Sequence, residues 1–225
     1  MAERYVLKFS KTGYMRYISH LDLLRLFKRM FRTGGIEIRY SQGFNPHPKL
    51  TFAQPLSLGY SGTGELLDFE TAKPYDEAQI AELLKDQAPC GIDIISCRRL
   101  EDKTPSLASA AESAIYAIEI PAEAGHDWER KGEAYMAQQK IEALKRRKKD
   151  KKMQSVDIKP MIRELSARYF CGKIVIDTCL DCGSTSNCSP ELVIASFCAF
   201  AGINTPRSEI SVERKKIKFS NNLQI

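Results

Sequence analysis

The 225 residues carry 34 Lys and Arg against 28 Asp and Glu, a formal charge of +6, with 43% hydrophobic and 28% charged side chains. Such a chain can bury a core, and it is too apolar for wholesale disorder. No apolar run approaches the roughly 20 residues of a membrane-spanning helix, and the opening Met-Ala-Glu-Arg-Tyr lacks a secretory apolar region, so we expect a cytoplasmic chain with no membrane partner. Its seven cysteines then read as reduced thiols rather than a disulfide framework.

In chain order, Tyr5 to Phe9 reads as a strand from its aromatic and β-branched content. Ser19 and Asp22 form a capping-box variant ahead of a helix, in which Leu23, Phe27, Met30 and Phe31 repeat at helical spacing. Gly34-Gly35 ends that helix. Ile36 to Tyr40 alternates as a second strand, and Gly43-Phe44-Asn45-Pro46-His47-Pro48 cannot be regular structure. Leu50 to Pro55 and Glu65 to Glu70 read as extended, with Gly59, Gly62 and Gly64 as turn punctuation. A helix over Asp76–Gln87 and a strand over Ile92–Cys97 complete a β-α-β-β-α-β order, that of a ferredoxin-like domain.

Residues 104–113 read as a linker, and the same order recurs after them. Ile115 to Ile120 is a strand, Trp128 to Leu144 a helix, Ser155 to Ile158 a short strand, and Gly172 to Asp177 a longer one. Ser189-Pro190-Glu191 opens a helix through Phe200, with Pro at the first helical position, and Ser211 to Phe219 supplies a last strand. The expected fold is α+β: two tandem ferredoxin-like (βαββαβ) domains with antiparallel sheets, over residues 1–103 and 114–225.

Charge is unevenly placed. Residues 1–50 hold ten Lys/Arg against three acids, residues 51–100 four against eight, and the remainder twenty against seventeen. On the first helix Arg25, Arg29 and Arg32 stand at i, i+4 and i+7, with Lys28 beside them, opposite the apolar stripe. A row of guanidinium forks suits phosphate; a plain solvated face is the alternative. In the next loop Gly43 lets a ligand approach the backbone, Tyr40 and Phe44 can stack on a base, and Arg39, Asn45, His47 and Lys49 supply polar contacts. A stiff hairpin end is the plain reading there, and His47 is also the candidate for acid–base catalysis. Lys145, Arg146, Arg147, Lys148 and Lys149 open a run of seven cations in eight residues ending at Lys152, expected as a mobile arm on a nucleic-acid backbone. Cys179, Cys182 and Cys188 are the candidate metal ligands, but the second pair a zinc site wants is missing, so no metal is expected.

The stretches Lys8-Phe9-Ser10-Lys11-Thr12-Gly13, Arg16-Tyr17-Ile18-Ser19-His20-Leu21-Asp22-Leu23-Leu24-Arg25, Arg39 to Leu50 and Phe52 to Gly59 resemble the radical SAM-linked (radical SAM-associated) domain family, domain of unknown function 2344. Val156-Asp157-Ile158-Lys159-Pro160 and Ser189-Pro190-Glu191-Leu192-Val193 resemble its second half. The resemblance implies a stand-alone accessory protein to a separately encoded radical SAM iron–sulfur enzyme, with no cofactor in this chain. Family members sit near genes for ribosomal proteins and a ribonuclease, which implies an rRNA or tRNA substrate bound or presented for modification. Relatives have a Gly/Ser-rich turn where Cys179, Cys182 and Cys188 stand here. The alternatives are a metal-independent endoribonuclease, by analogy with tandem ferredoxin-like RNA-processing proteins, and a protein–protein adaptor.

Overall fold

Apolar side chains spaced two apart in strands and three or four apart in helices recur in both halves of the chain, and the computed structural model builds an α+β fold from them. It describes residues 3–101, 103–146 and 152–220. These fall into two units, one reaching to Ala111 and taking in Phe219 and Ser220, the other spanning Glu112–Lys218.

In the first unit, β1 (Glu3–Lys11) turns through a 3₁₀ segment, Gly13–Tyr17, into α1 (His20–Thr33). The cap is the expected one: Ser19 accepts the Asp22 amide at 3.2 Å and its hydroxyl donates to the Asp22 carboxylate at 2.7 Å. Gly35, at φ +70°, ends the helix. Then come β2 (Leu50–Phe52), β3 (Ser61–Thr71), α2 (Glu77–Lys85, capped by Asp76), β4 (Ile92–Arg99) and the one-turn α3 (Leu107–Ala110). Pairing is antiparallel throughout, in the order β4-β1-β3-β2. The helices cover one face, where Phe9 and Phe27 meet edge-on at 4.8 Å and Phe52 and Phe69 extend the cluster.

Three details differ from the reading of the sequence. Ile36 to Tyr40 forms no strand, only the isolated bridges Ile38 to Thr71 and Tyr40 to Pro48. Its backbone groups are divided between the end of β3 (Arg39 N to Glu70 O, 2.8 Å) and the returning loop (Lys49 N to Arg39 O, 2.8 Å). Gly62 and Gly64 lie inside β3 rather than in a turn, and a Cβ on Gly62 would run into the Glu65 side chain. Residues expected as a linker are ordered: Arg4 donates to the carbonyls of Thr104 and Pro105, and Leu107 is fully buried.

The second unit contains β5 (Ala111–Pro121), α4 (Trp128–Ala137), β6 (Glu142–Arg146), β7 (Met153–Asp157), β8 (Ile162–Phe170), β9 (Lys173–Asp181), α5 (Pro190–Ala201) and β10 (Ser211–Phe219). The strand order is β10-β5-β9-β8, with β6 and β7 as a separate antiparallel hairpin. The helix expected over Trp128–Leu144 therefore stops at Ala137. Asp157 takes the amides of Ile141 and Lys159, both at 3.0 Å, and so redirects the chain into the hairpin. The stretch 155–158 belongs mostly to β7, and the second strand of the main sheet is β8, which the sequence reading omitted. Ile162 and Ala167 are buried in β8 while most of its other residues are not, so its alternation is broken. Gly132 of α4 lies against it, where a Cβ would come within 3.2 Å of the Ala167 Cβ.

Cys171 and Gly172 join β8 to β9 with φ of +48° and +78°. Two left-handed residues between paired strands is the type I′ hairpin geometry, which disfavours cysteine and suits asparagine. Cys171→Asn is expected to raise unfolding free energy by about 0.5–1 kcal/mol, read as a higher urea midpoint at unchanged slope; an unchanged or lower midpoint would contradict this account of the turn.

Candidate nucleic-acid interface

The helix that carries the predicted cations also supplies a buried apolar stripe to the first unit, and that fixes which way the cations face. Leu23, Phe27, Met30 and Phe31 are buried, so Arg25, Lys28, Arg29 and Arg32 must point away from the core. They line a cleft of about 690 Å³. Its lining also includes Ile38, Tyr40 and Pro48, with the buried core residues Ile36 and Leu50. The cleft thus has a cationic wall on α1 and an apolar floor contributed by the segment that leaves the strand pairing.

The charges on that wall differ in their partners. Arg25 pairs with Asp22 at 2.8 Å, and the Ser19 hydroxyl together with Arg25 holds the Asp22 carboxyl below the usual carboxylate range. Among the described residues the side chains of Lys28, Arg29 and Arg32 make no ion pair and no hydrogen bond. Glu37 is an acid on the cleft lining, and Lys73 engages it at 2.5 Å. The site therefore keeps a net positive field, with nearby cations unneutralised by protein groups.

The loop is pinned rather than loose. Ser41 N donates to His47 O at 2.8 Å and His47 N to Ser41 Oγ at 3.0 Å. Gly43 sits at φ +131°, and Phe44 projects fully into solvent at the tip. Gly43, Phe44 and Asn45 do not line the cleft. The His47 imidazole is exposed and has no hydrogen-bond partner among the described residues. Arg39 and Lys49, expected to hold phosphate, share one carboxylate: Glu70 accepts from Arg39 at 2.9 Å and from Lys49 at 2.9 and 3.0 Å. They brace the base of the loop and are partly neutralised there.

The structure thus brings Arg25, Lys28, Arg29, Arg32 and Tyr40 together and leaves the loop tip beside them. The apolar floor and the Glu70 clamp were missed. Alternation of Ile36, Ile38 and Tyr40 is the signal for the floor, but the same alternation fits a strand. Lys145 and Arg146 lie on β6 in the second unit, not in a frayed arm, while Arg147, Lys148 and Lys149 fall outside the described residues. Cys179, Cys182 and Cys188 are buried, and burial pushes the Cys182 thiol to about 11 and the Cys188 thiol to about 12. Among the described residues, no three His, Cys, Asp or Glu are grouped to hold a metal ion.

The motif Lys8 to Gly13 does structural work close by. Lys11 is 1% exposed and donates to the carbonyls of Ile18 (3.2 Å) and Arg16 (3.4 Å), and Thr12 N bonds Gly91 O at 2.8 Å. These contacts set the entry into α1 and hence the placement of its cations.

A family model described as an uncharacterized protein conserved in bacteria (DUF2344) matches residues 4–190, which take in the whole cleft and end at the first residue of α5. The chain belongs to this family. No curated protein matches the sequence. In fold the chain is similar to one in the crystal structure of a Cbf5-Nop10-Gar1 complex, with a TM-score of 0.51 at 8% identity, over 95% of this chain and 48% of that one. It spans about half the length of that neighbour, and the likeness is one of α+β fold. An unknown protein from Galdieria sulphuraria aligns over 95% of this chain and 99% of its own at 11% identity, with a TM-score of 0.30. No helix among the described residues is long and apolar enough to cross a membrane.

Proposed function

We propose that this protein is a non-catalytic RNA-binding partner of a cytoplasmic radical SAM enzyme, holding an rRNA or tRNA segment for modification. The observation that carries the RNA reading is the trio Lys28, Arg29 and Arg32, unpaired among the described residues on the wall of a cleft that also contains Tyr40. Fixed guanidinium forks favour phosphate, and an aromatic beside them favours bases. The link to a radical SAM enzyme rests on the resemblance of Lys8–Arg25 and Arg39–Gly59 to the radical SAM-linked family. We read each unit as a ferredoxin-like domain, the second with the β6–β7 hairpin inserted. What supports this is the recurrence of one strand order, β4-β1-β3-β2 and β10-β5-β9-β8.

RNA binding measured across a salt series tests the reading. Each phosphate contact to a single strand contributes a slope of about −0.7 in log affinity against log salt. Replacing Arg29 and Arg32 together with Ala is expected to make the slope shallower by about 1.4 and to weaken binding at least ~10-fold at low salt. Affinity indifferent to salt, or unchanged in the double variant, would overturn the RNA reading. Co-purification of the co-expressed radical SAM enzyme tests the partnership; its failure at low salt would remove that part alone.

A further inference from the structure

The cleft is chemically two-sided, and a surface that merely attracts phosphate need not be. Arg25, Lys28, Arg29 and Arg32 line the cleft from α1, and Ile38, Tyr40 and Pro48 add apolar lining beside the buried Ile36 and Leu50. Building on the RNA-binding reading, we propose that this cleft seats one unstacked base of a single-stranded RNA, with the flanking phosphates on the α1 cations.

Four observations favour that occupant. An inorganic or sugar phosphate would leave the floor wet, and a purely apolar ligand would leave the cations without a counter-charge; a nucleotide satisfies both walls. The volume, about 690 Å³, lies in the range of roughly 300–1,000 Å³ that encloses a small ligand, and it cannot take in a duplex. A duplex keeps its base faces stacked inside, so it would cover the cations and leave Ile38 and Tyr40 without a base to contact, whereas single strands offer splayed bases to aromatic and apolar side chains. Tyr40 is 54% exposed as a residue, within reach of a base plane, and its loop is held by the Ser41–His47 bonds. Glu37 on the cleft lining is already engaged by Lys73. Recognition by stacking and apolar contact alone is tolerant of base identity. The cleft therefore selects for strandedness more than for sequence.

The test uses the full chain and a short oligoribonucleotide, about 12 nucleotides, with 2-aminopurine at its centre, alone and annealed to its complement. The single strand is expected to bind at least ~10-fold tighter than the duplex, with a change in 2-aminopurine emission. Tyr40→Ala, at an exposed position, is expected to weaken single-strand binding about 10-fold and abolish the emission change, leaving duplex binding unaltered. Ile38→Asn should act in the same direction from the floor. Equal affinity for both forms, with Tyr40→Ala and Ile38→Asn silent, would overturn the base-seating proposal and leave the RNA reading standing. Loss of salt-dependent binding to either form would overturn the RNA reading and this proposal with it. An acidic, aromatic peptide that displaces the single strand and binds more tightly would assign the cleft to a protein partner instead.

Discussion

Phe27→Ala is expected to lower the unfolding free energy by about 3–5 kcal/mol, the largest loss we anticipate from a single truncation. The ring is fully buried, 4.8 Å from Phe9 and 5.8 Å from Phe52, so its removal takes contacts from α1, β1 and β2 together. A shift in the urea midpoint at unchanged slope measures it, and a loss below about 1 kcal/mol would mean that the site collapses around the void. Phe27→Leu, which keeps most of the volume, should cost under about 1.5 kcal/mol. The consequence reaches the interface because Lys28 and Arg29 follow Phe27 directly on the helix. A loosened α1 holds its cations less firmly, so RNA affinity should fall with stability in the alanine variant and survive in the leucine one.

Gly91→Ala is the second large effect, about 2–4 kcal/mol, and its cause is local geometry rather than lost burial. Gly91 has φ +90°, a region costly for any residue with a Cβ. An added Cβ would also stand 2.7 Å from the Thr12 carbonyl oxygen and 2.9 Å from Met15 Cγ. The Thr12 oxygen is backbone and cannot step aside, since Thr12 N is bonded to Gly91 O at 2.8 Å. Strain there pushes on the segment that leads from β1 into α1. Thermal unfolding reads the effect; a variant that melts with the wild type would show that this junction relaxes freely. Gly43, at φ +131° but with no atom within 4 Å of its would-be Cβ, should lose less on the same change, because it adds strain without a clash.

Whatever depends on neighbours a few residues apart was legible in the sequence. The start of α1 at Ser19, its stop at Gly34-Gly35, its buried stripe and its cationic face all follow from capping chemistry and a 3.6-residue period. The same holds for α2 behind Asp76 and α5 behind Ser189-Pro190. The end of α4 was not legible, because the residue that turns the chain there, Asp157, lies 16 positions beyond the Ile141 amide it accepts. Nor was β8, whose broken alternation hides a strand recognisable only beside β9 and under Gly132.

The sequence by itself determined an α+β chain with a row of cations on its first helix and a stiff loop soon after. Tertiary structure decided which of those charges remain available. Arg25, Lys28, Arg29, Arg32, Arg39 and Lys49 look equivalent in one dimension, yet Glu70, which follows Arg39 by 31 positions and Lys49 by 21, draws both to itself. Lys28, Arg29 and Arg32 meet no acid among the described residues and share a cleft with Ile38, Tyr40 and Pro48. Helical period and caps are set by near neighbours along the chain, whereas charge pairing and the walls of a cleft depend on which distant segments the strands bring alongside.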